Sequence, residues 1–204
     1  MDAPARTSTA AATTTMTATP AARHLTREEL EAGLDEIRRS PKDGGTVELI
    51  VRRPAVGERE VLEEATLDLE QGLVGDTWSV RGSSKTADGS AHPEMQLNVM
   101  NVRAVALVAQ ARERWPLAGD QLYLDLDLGE ENLPAGTRLA LGEAVIEVTP
   151  MPHTGCAKFV SRFGLDAMKF VNSPIGRELH LRGINCRVVA PGVVRAGDRV
   201  SKIA

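Results

Sequence analysis

Cysteine is scarce in this chain: Cys156 and Cys186 are the two thiols among 204 residues. A single pair excludes a disulfide framework, a four-thiolate zinc site and an iron–sulfur cluster. Aromatic residues are also few, at 3% with three Phe, two Trp and one Tyr, which leaves little for a nucleic-acid surface built on stacked rings. Positive charge is not in excess either; the formal net charge of -4 argues against a phosphate-backbone binder. No run of about 18 apolar residues occurs, so no membrane-spanning helix is expected. GxGxxG, P-loop, HExxH and GxSxG patterns are all missing, and nucleotide-dependent and ordinary hydrolase chemistries lose their usual support. The first 22 residues lack the apolar segment of a secretory signal, and with free thiols this points to a reducing, cytoplasmic setting.

What is present is an ordinary globular composition, 42% hydrophobic and 25% charged, enough for one packed domain. Residues 1–24, rich in Ala and Thr, read as a disordered leader. Residues 25–45 read as a helix and linker: Thr26 and Glu29 form a capping-box signature, Leu30, Leu34 and Ile37 follow at helical spacing over 27–39, and Pro41 with Gly44 and Gly45 ends the run. From Thr46 the period shortens. Val47, Leu49 and Val51 alternate with Glu48, Ile50 and Arg52 as in a strand, and residues 62–69 and 95–100 suit two more. Residues 82–93 read as an exposed loop, and Val102 onward as a helix ending near Trp115 and Pro116. Residues 122–126, 137–141, 144–149, 184–189 and 200–203 are short strands punctuated by Gly and Pro. This favours a mostly β, α+β fold, a small barrel or sandwich, over a doubly wound parallel sheet.

The excursion at 150–183 carries the candidate chemistry. Pro152 and Gly155 forbid regular strand pairing before Cys156, which places the thiol in a turn. If residues 157–163 begin a helix, backbone N–H groups at its start, with Lys158, Arg162 and His153 nearby, favour the thiolate, the form that attacks electrophiles and ligates soft metals. Cys156 equally suits a small buried apolar position. His153, three residues away, pairs with it only if the fold brings them together. Cys186, alternating with Val188, reads as strand packing. Lys158, Arg162, Lys169, Arg177, Arg182 and Arg187 gather within thirty residues and suit either an anionic small ligand or a solvated face. Phe159, Phe163 and Phe170 fit one apolar helical face that docks on the barrel, although Gly164 can split that helix. The Gly72–Asp76 turn either presents the Asp76 carboxylate or simply connects.

Together these residues resemble the MOSC domain, the C-terminal domain of molybdenum cofactor sulfurases, in its small stand-alone bacterial form. The resemblance spans residues 46–204 and rests on Gly72-Leu73-Val74-Gly75-Asp76, on the run from Glu131 to Leu139 leading to Leu141-Gly142-Glu143-Ala144, and on Cys156 with Lys158 and Phe159. It continues through Arg162-Phe163-Gly164, Arg182-Gly183 and the segment from Gly192 to Asp198. It implies a MOSC-type β-barrel with a few peripheral helices. It also implies a cysteine that supplies its thiolate to molybdenum in a pterin cofactor, or carries sulfur as a persulfide.

By that resemblance Cys156 is the metal ligand and a catalytic group; His153 joins it as a catalytic candidate on its place three residues from the thiol, outside what the resemblance covers. Lys158, Arg162, Arg177, Arg182 and Asp76 are the candidate cofactor-binding residues. The implied activity is that of a molybdenum-cofactor-dependent oxidoreductase component reducing N-hydroxylated compounds. The alternative is a sulfurtransferase component, a sulfur carrier whose Cys156 persulfide comes from a pyridoxal-phosphate cysteine desulfurase. The chain has no room for that desulfurase and too few cysteines for an iron–sulfur cluster. An electron donor or desulfurase must therefore be a separate partner, with a small-molecule substrate and neither nucleic acid nor membrane involved.

Overall fold

The computed structural model describes residues 23–203; most of the Ala/Thr-rich leader expected at 1–24 lies outside the described residues. Eleven strands are formed among these: β1 Gly45–Arg52, β2 Glu60–Leu62, β3 Glu64–Asp68, β4 Gly72–Leu73, β5 Leu97–Asn101, β6 Leu122–Asp125, β7 Arg138–Leu141, β8 Ala144–Val148, β9 Ile184–Ala190, β10 Gly192–Arg195 and β11 Arg199–Ile203. Seven of them run in the order β11-β7-β8-β9-β5-β6-β1, and pairing of β1 with β11 closes the ring into a barrel. All neighbours are antiparallel except β5 and β6. One edge of β1 pairs with β11 at Gly45 and Thr46 and then with β2 at Ile50 to Arg52, while its other edge holds β6. A separate three-stranded sheet, β10-β3-β4, extends one side.

Two apolar cores follow from the two faces of the barrel wall. Val47, Ile50, Leu97, Val99, Leu122, Leu124, Leu139, Ile146 and Cys186 belong to one cluster. Leu49, Val51, Met100 and Tyr123 belong to a second, shared with the helices. Strict alternation along β1 predicts Val47 on the same face as Leu49 and Val51. A register shift between Val47 and Leu49 instead puts Val47 with Ile50 and turns Leu49 and Val51 to the other core, because an extra residue in one strand inverts the facing of all that follow.

The helices are α1 Arg27–Ala32, α2 Leu34–Arg38, α3 Trp78–Arg81, α4 Val102–Ala109, α5 Ala157–Phe163, α6 Leu165–Val171 and α7 Pro174–Glu178. The Thr26–Glu29 capping box is formed, but the helix expected over 27–39 breaks at Gly33 into α1 and α2. Helix α4 stops at Ala109; the segment to Pro116 is a 3-10 helix, Arg112–Ala118, since Pro116 cannot donate into an α-helical ladder. Gly164, at φ +93, separates α5 from α6 in a conformation that other residues rarely adopt. Phe159, Phe163 and Phe170 consequently sit on two short helices, all three buried in the core under α1 and α4. No helix among the described residues is long and apolar enough to cross a membrane.

Candidate functional site

Strand β8 ends at Val148, and the chain then leaves the barrel through Pro150 and Pro152. Thr149 fixes the exit by donating its hydroxyl to the Glu94 carbonyl at 2.6 Å, and Asn185 Nδ2 holds the Met151 carbonyl at 3.0 Å. At the far end of the turn Asn172, one residue past α6, clamps Gly155 from both sides. Its Oδ1 accepts from the Gly155 N–H at 2.9 Å and its Nδ2 donates to the Gly155 carbonyl at 3.1 Å. Gly155 is packed so closely that a Cβ there would come within 3.1 Å of Val171 and 3.3 Å of Asn172. Cys156 follows as the N-cap of α5 and its side chain is exposed. Cys186, by contrast, is fully buried in β9, and burial pushes its thiol pKa up.

Beside this turn opens a cleft of about 580 Å³, within the range of small-molecule sites (roughly 300–1,000 Å³). Its walls include His153, Asn172, Asn185, Arg177, His180 and Glu130 as polar groups. Arg177 is exposed and has no carboxylate partner among the described residues. His180 stands just beyond α7 at φ +46, one of two non-glycine residues with positive φ. Its Nδ1 lies 2.7 Å from the Leu128 carbonyl.

Below the turn, the 3-10 helix ends in four successive carbonyls, each met by a different guanidinium. Arg59 Nε donates to Pro116 at 3.3 Å, Arg162 Nη1 to Leu117 at 2.6 Å, Arg182 Nη2 to Ala118 at 3.0 Å and Arg53 Nη1 to Gly119 at 2.8 Å. Cations at a helix C-terminus satisfy both its unpaired carbonyls and its dipole. Arg53 and Arg182 are neutralised in the interior. Arg53 pairs with Asp76 through Nε and Nη2, both at 2.8 Å, and Arg182 Nη1 spans both oxygens of Asp120 at 2.9 and 2.8 Å. Burial raises the Asp120 carboxyl pKa and the Arg182 charge pulls against it.

Arg59 and Arg162 have no carboxylate partner among the described residues. Their Nη2 and Nη1 atoms come within 3.6 and 3.7 Å of the point where a Gly119 Cβ would lie. Desolvation first, then the Arg162 and Arg53 charges, lowers the Arg59 pKa.

His153 links the cleft to this cluster. Its side chain is 11% exposed, its Nδ1 is 3.6 Å from Asp120 Oδ1, and that nitrogen is buried with no hydrogen-bond partner. Burial foremost, and then the Arg182 and Arg53 charges, holds the imidazole well below its ordinary pKa. Asp120 does not offset this, its oxygens being engaged by Arg182.

The residues singled out in the sequence therefore fall into distinct places. Cys156 and Lys158 are exposed at the start of α5, Arg177 and His153 line the cleft, and Arg162 reaches the Leu117 carbonyl. Asp76 and Arg182, proposed as cofactor contacts, are buried in ion pairs with side-chain exposures of 0% and 9%; their charges are used inside the protein. Sequence reasoning passed over Arg59, Asn172 and His180. The Asn172-Ser173-Pro174 stop-and-start signal between helices marked Asn172, but nothing local marks the other two.

The model of the MOSC domain matches residues 90–201, more than half of the chain. The chain belongs to the MOSC domain family. Its fold is similar to the crystal structure of the YuaD protein from Bacillus subtilis, with a TM-score of 0.55 and 17% identity over 78% of this chain and 94% of that one. A second crystal structure, of a hypothetical protein, gives 0.54 at 21% identity, covering 80% of this chain and 69% of that chain. YiiM from Escherichia coli gives 0.50 at 24% identity, covering 78% and 70%. No curated protein matches the chain. The expected strand-rich MOSC barrel with peripheral helices is thus the fold of this domain.

Proposed function

We propose that this MOSC domain binds a molybdenum-pterin cofactor through the Cys156 thiolate and serves as a component reducing N-hydroxylated compounds. The observation that carries the reading is an exposed thiol at the N-cap of α5, two residues past Thr154 on the wall of a cleft of about 580 Å³, with the guanidiniums of Arg59 and Arg162 at the end of the 3-10 helix free of carboxylate partners among the described residues. The donor set fits the group: thiolate sulfur is a soft ligand suited to the metal, and guanidinium is suited to a phosphate. Arg59 and Arg162 retain unused N–H donors and would receive the phosphate, with exposed Lys158 one turn before Arg162 on α5. Asp76 and Arg182 support the site from the interior. When bound, the group supplies the two-electron redox centre for cleaving an N–O bond. The protein's own residues hold the Cys156 turn through Asn172 and Asn185, and keep neutral His153 on the cleft wall.

Electrons would come from a separate donor protein. Protein purified from a host that makes the cofactor is expected to carry close to one molybdenum per chain, and Cys156→Ser to remove it. Equal metal content in variant and parent rejects the assignment.

Exposure of Cys156 at the tip of a turn also favours a second reading, a sulfur carrier loaded by a pyridoxal-phosphate desulfurase. A thiol outside the cleft is accessible to a partner's active site. This reading predicts a mass gain of roughly 32 Da on the Cys156 peptide under non-reducing conditions. Sulfur found on Cys186 instead would contradict it.

A further inference from the structure

Two polar residues of the cleft wall, Arg177 and His180, have no part in holding the Cys156 turn. A backbone carbonyl can only accept, so the 2.7 Å contact from His180 Nδ1 to the Leu128 carbonyl fixes the proton on Nδ1. In neutral His180, Nε2 is then a hydrogen-bond acceptor on the ring of a residue that lines the cleft. The backbone bears φ +46 to hold that ring, a strain that surrounding structure must sustain. Three residues earlier, Arg177 contributes an exposed guanidinium to the same wall. The His180 N–H donates to the Arg177 carbonyl at 3.1 Å, so the two lie on one turn. Leu133, Pro134, Val148, Val171 and Ile184 supply apolar walls.

We propose that this cleft binds a small hydroxycarboxylic acid with an apolar body: its carboxylate on Arg177, its hydroxyl donating to His180 Nε2, its hydrocarbon against the apolar walls. Glu130, exposed on the rim, opposes a second negative charge and so selects a monoanion. The assignment goes beyond the cofactor reading and is independent of what Cys156 holds.

Mandelate and phenylacetate differ by the single hydroxyl and form a matched pair of probes. Both are titrated by NMR into the full chain and its Cys156→Ser variant, following the His180 Cε1–H resonance, and into every variant, His180→Asn included, following the backbone amide resonances of the cleft residues. Mandelate is expected to bind more tightly than phenylacetate in both proteins. Arg177→Gln is expected to weaken both acids about tenfold or more, as loss of a charge-assisted hydrogen bond does. Asn tolerates positive φ and can donate to Leu128 from Nδ2, but has no equivalent of Nε2. His180→Asn should therefore abolish the advantage of mandelate and leave phenylacetate unchanged. No perturbation of His180 by either acid at millimolar concentration, equal affinity in Arg177→Gln, or an undiminished mandelate preference in His180→Asn overturns the assignment. Molybdenum content, measured separately, is not affected by these outcomes.

Discussion

The two cysteines show how far a residue's chemistry is set by where the fold puts it. Cys186 alternates with Val188 in β9, and strand periodicity in the sequence was enough to place it in the core, where its relative exposure is 0%. Cys156 was ambiguous between a reactive and a packed thiol, because turn residues locate a bend without saying which way it faces. The structure places it on the surface. Iodoacetamide at pH 8 is accordingly expected to modify Cys156 alone in the native protein, since the thiolate is the attacking form and burial pushes Cys186 further from ionising. Cys186 should react only after denaturation. Peptide mass spectrometry reads both sites, and native labelling of Cys186 would show that β9 opens readily.

At the scale of elements, the strands were legible from period-two patterning and glycine punctuation, and most appear within a residue or two of the expected ranges. The errors arise where one residue breaks a period. The register shift at Val47/Leu49 inverts β1, Gly33 divides the first helix, and Pro116 turns the end of the α4 region into a 3-10 helix. Such breaks are decided by the partner strand or helix, which a local pattern does not contain. The site was half legible for the same reason: the thiol, Arg162 and Arg177 stand in one sequence segment, whereas Arg59 arrives from the loop before β2.

Asn172 is the joint between those elements, its amide making two hydrogen bonds to Gly155. Asn172→Ala removes both at a cost of about 1–3 kcal/mol, for two net contributions of about 0.5–1.5 each. The expected result is a modest fall in the denaturation midpoint with faster amide hydrogen exchange confined to residues 152–157. Unchanged exchange there would mean that Pro152 and the packing of Gly155 hold the turn unaided.

For the whole molecule, the buried charges impose a dependence on pH that runs through His153. Facing its ring are Arg182 and Arg53, which repel a proton, and Asp120, whose oxygens are engaged by Arg182. An unfolded chain takes up a proton on this imidazole near pH 6.5. The folded protein does so only well below that value. Between the two values the unfolded state binds the proton and the native state does not. This contribution to stability is therefore complete above about pH 6.5 and is lost as pH falls, by up to about 1.4 kcal/mol per unit. His153→Gln cannot titrate, so its unfolding free energy should change less steeply between pH 7 and pH 5.5 than that of the parent, whatever its absolute stability. Urea unfolding at intervals across that range measures the two slopes. Parallel profiles would require the imidazole to be protonated at the same pH in both states, with Asp120 then free enough of Arg182 to accept from it.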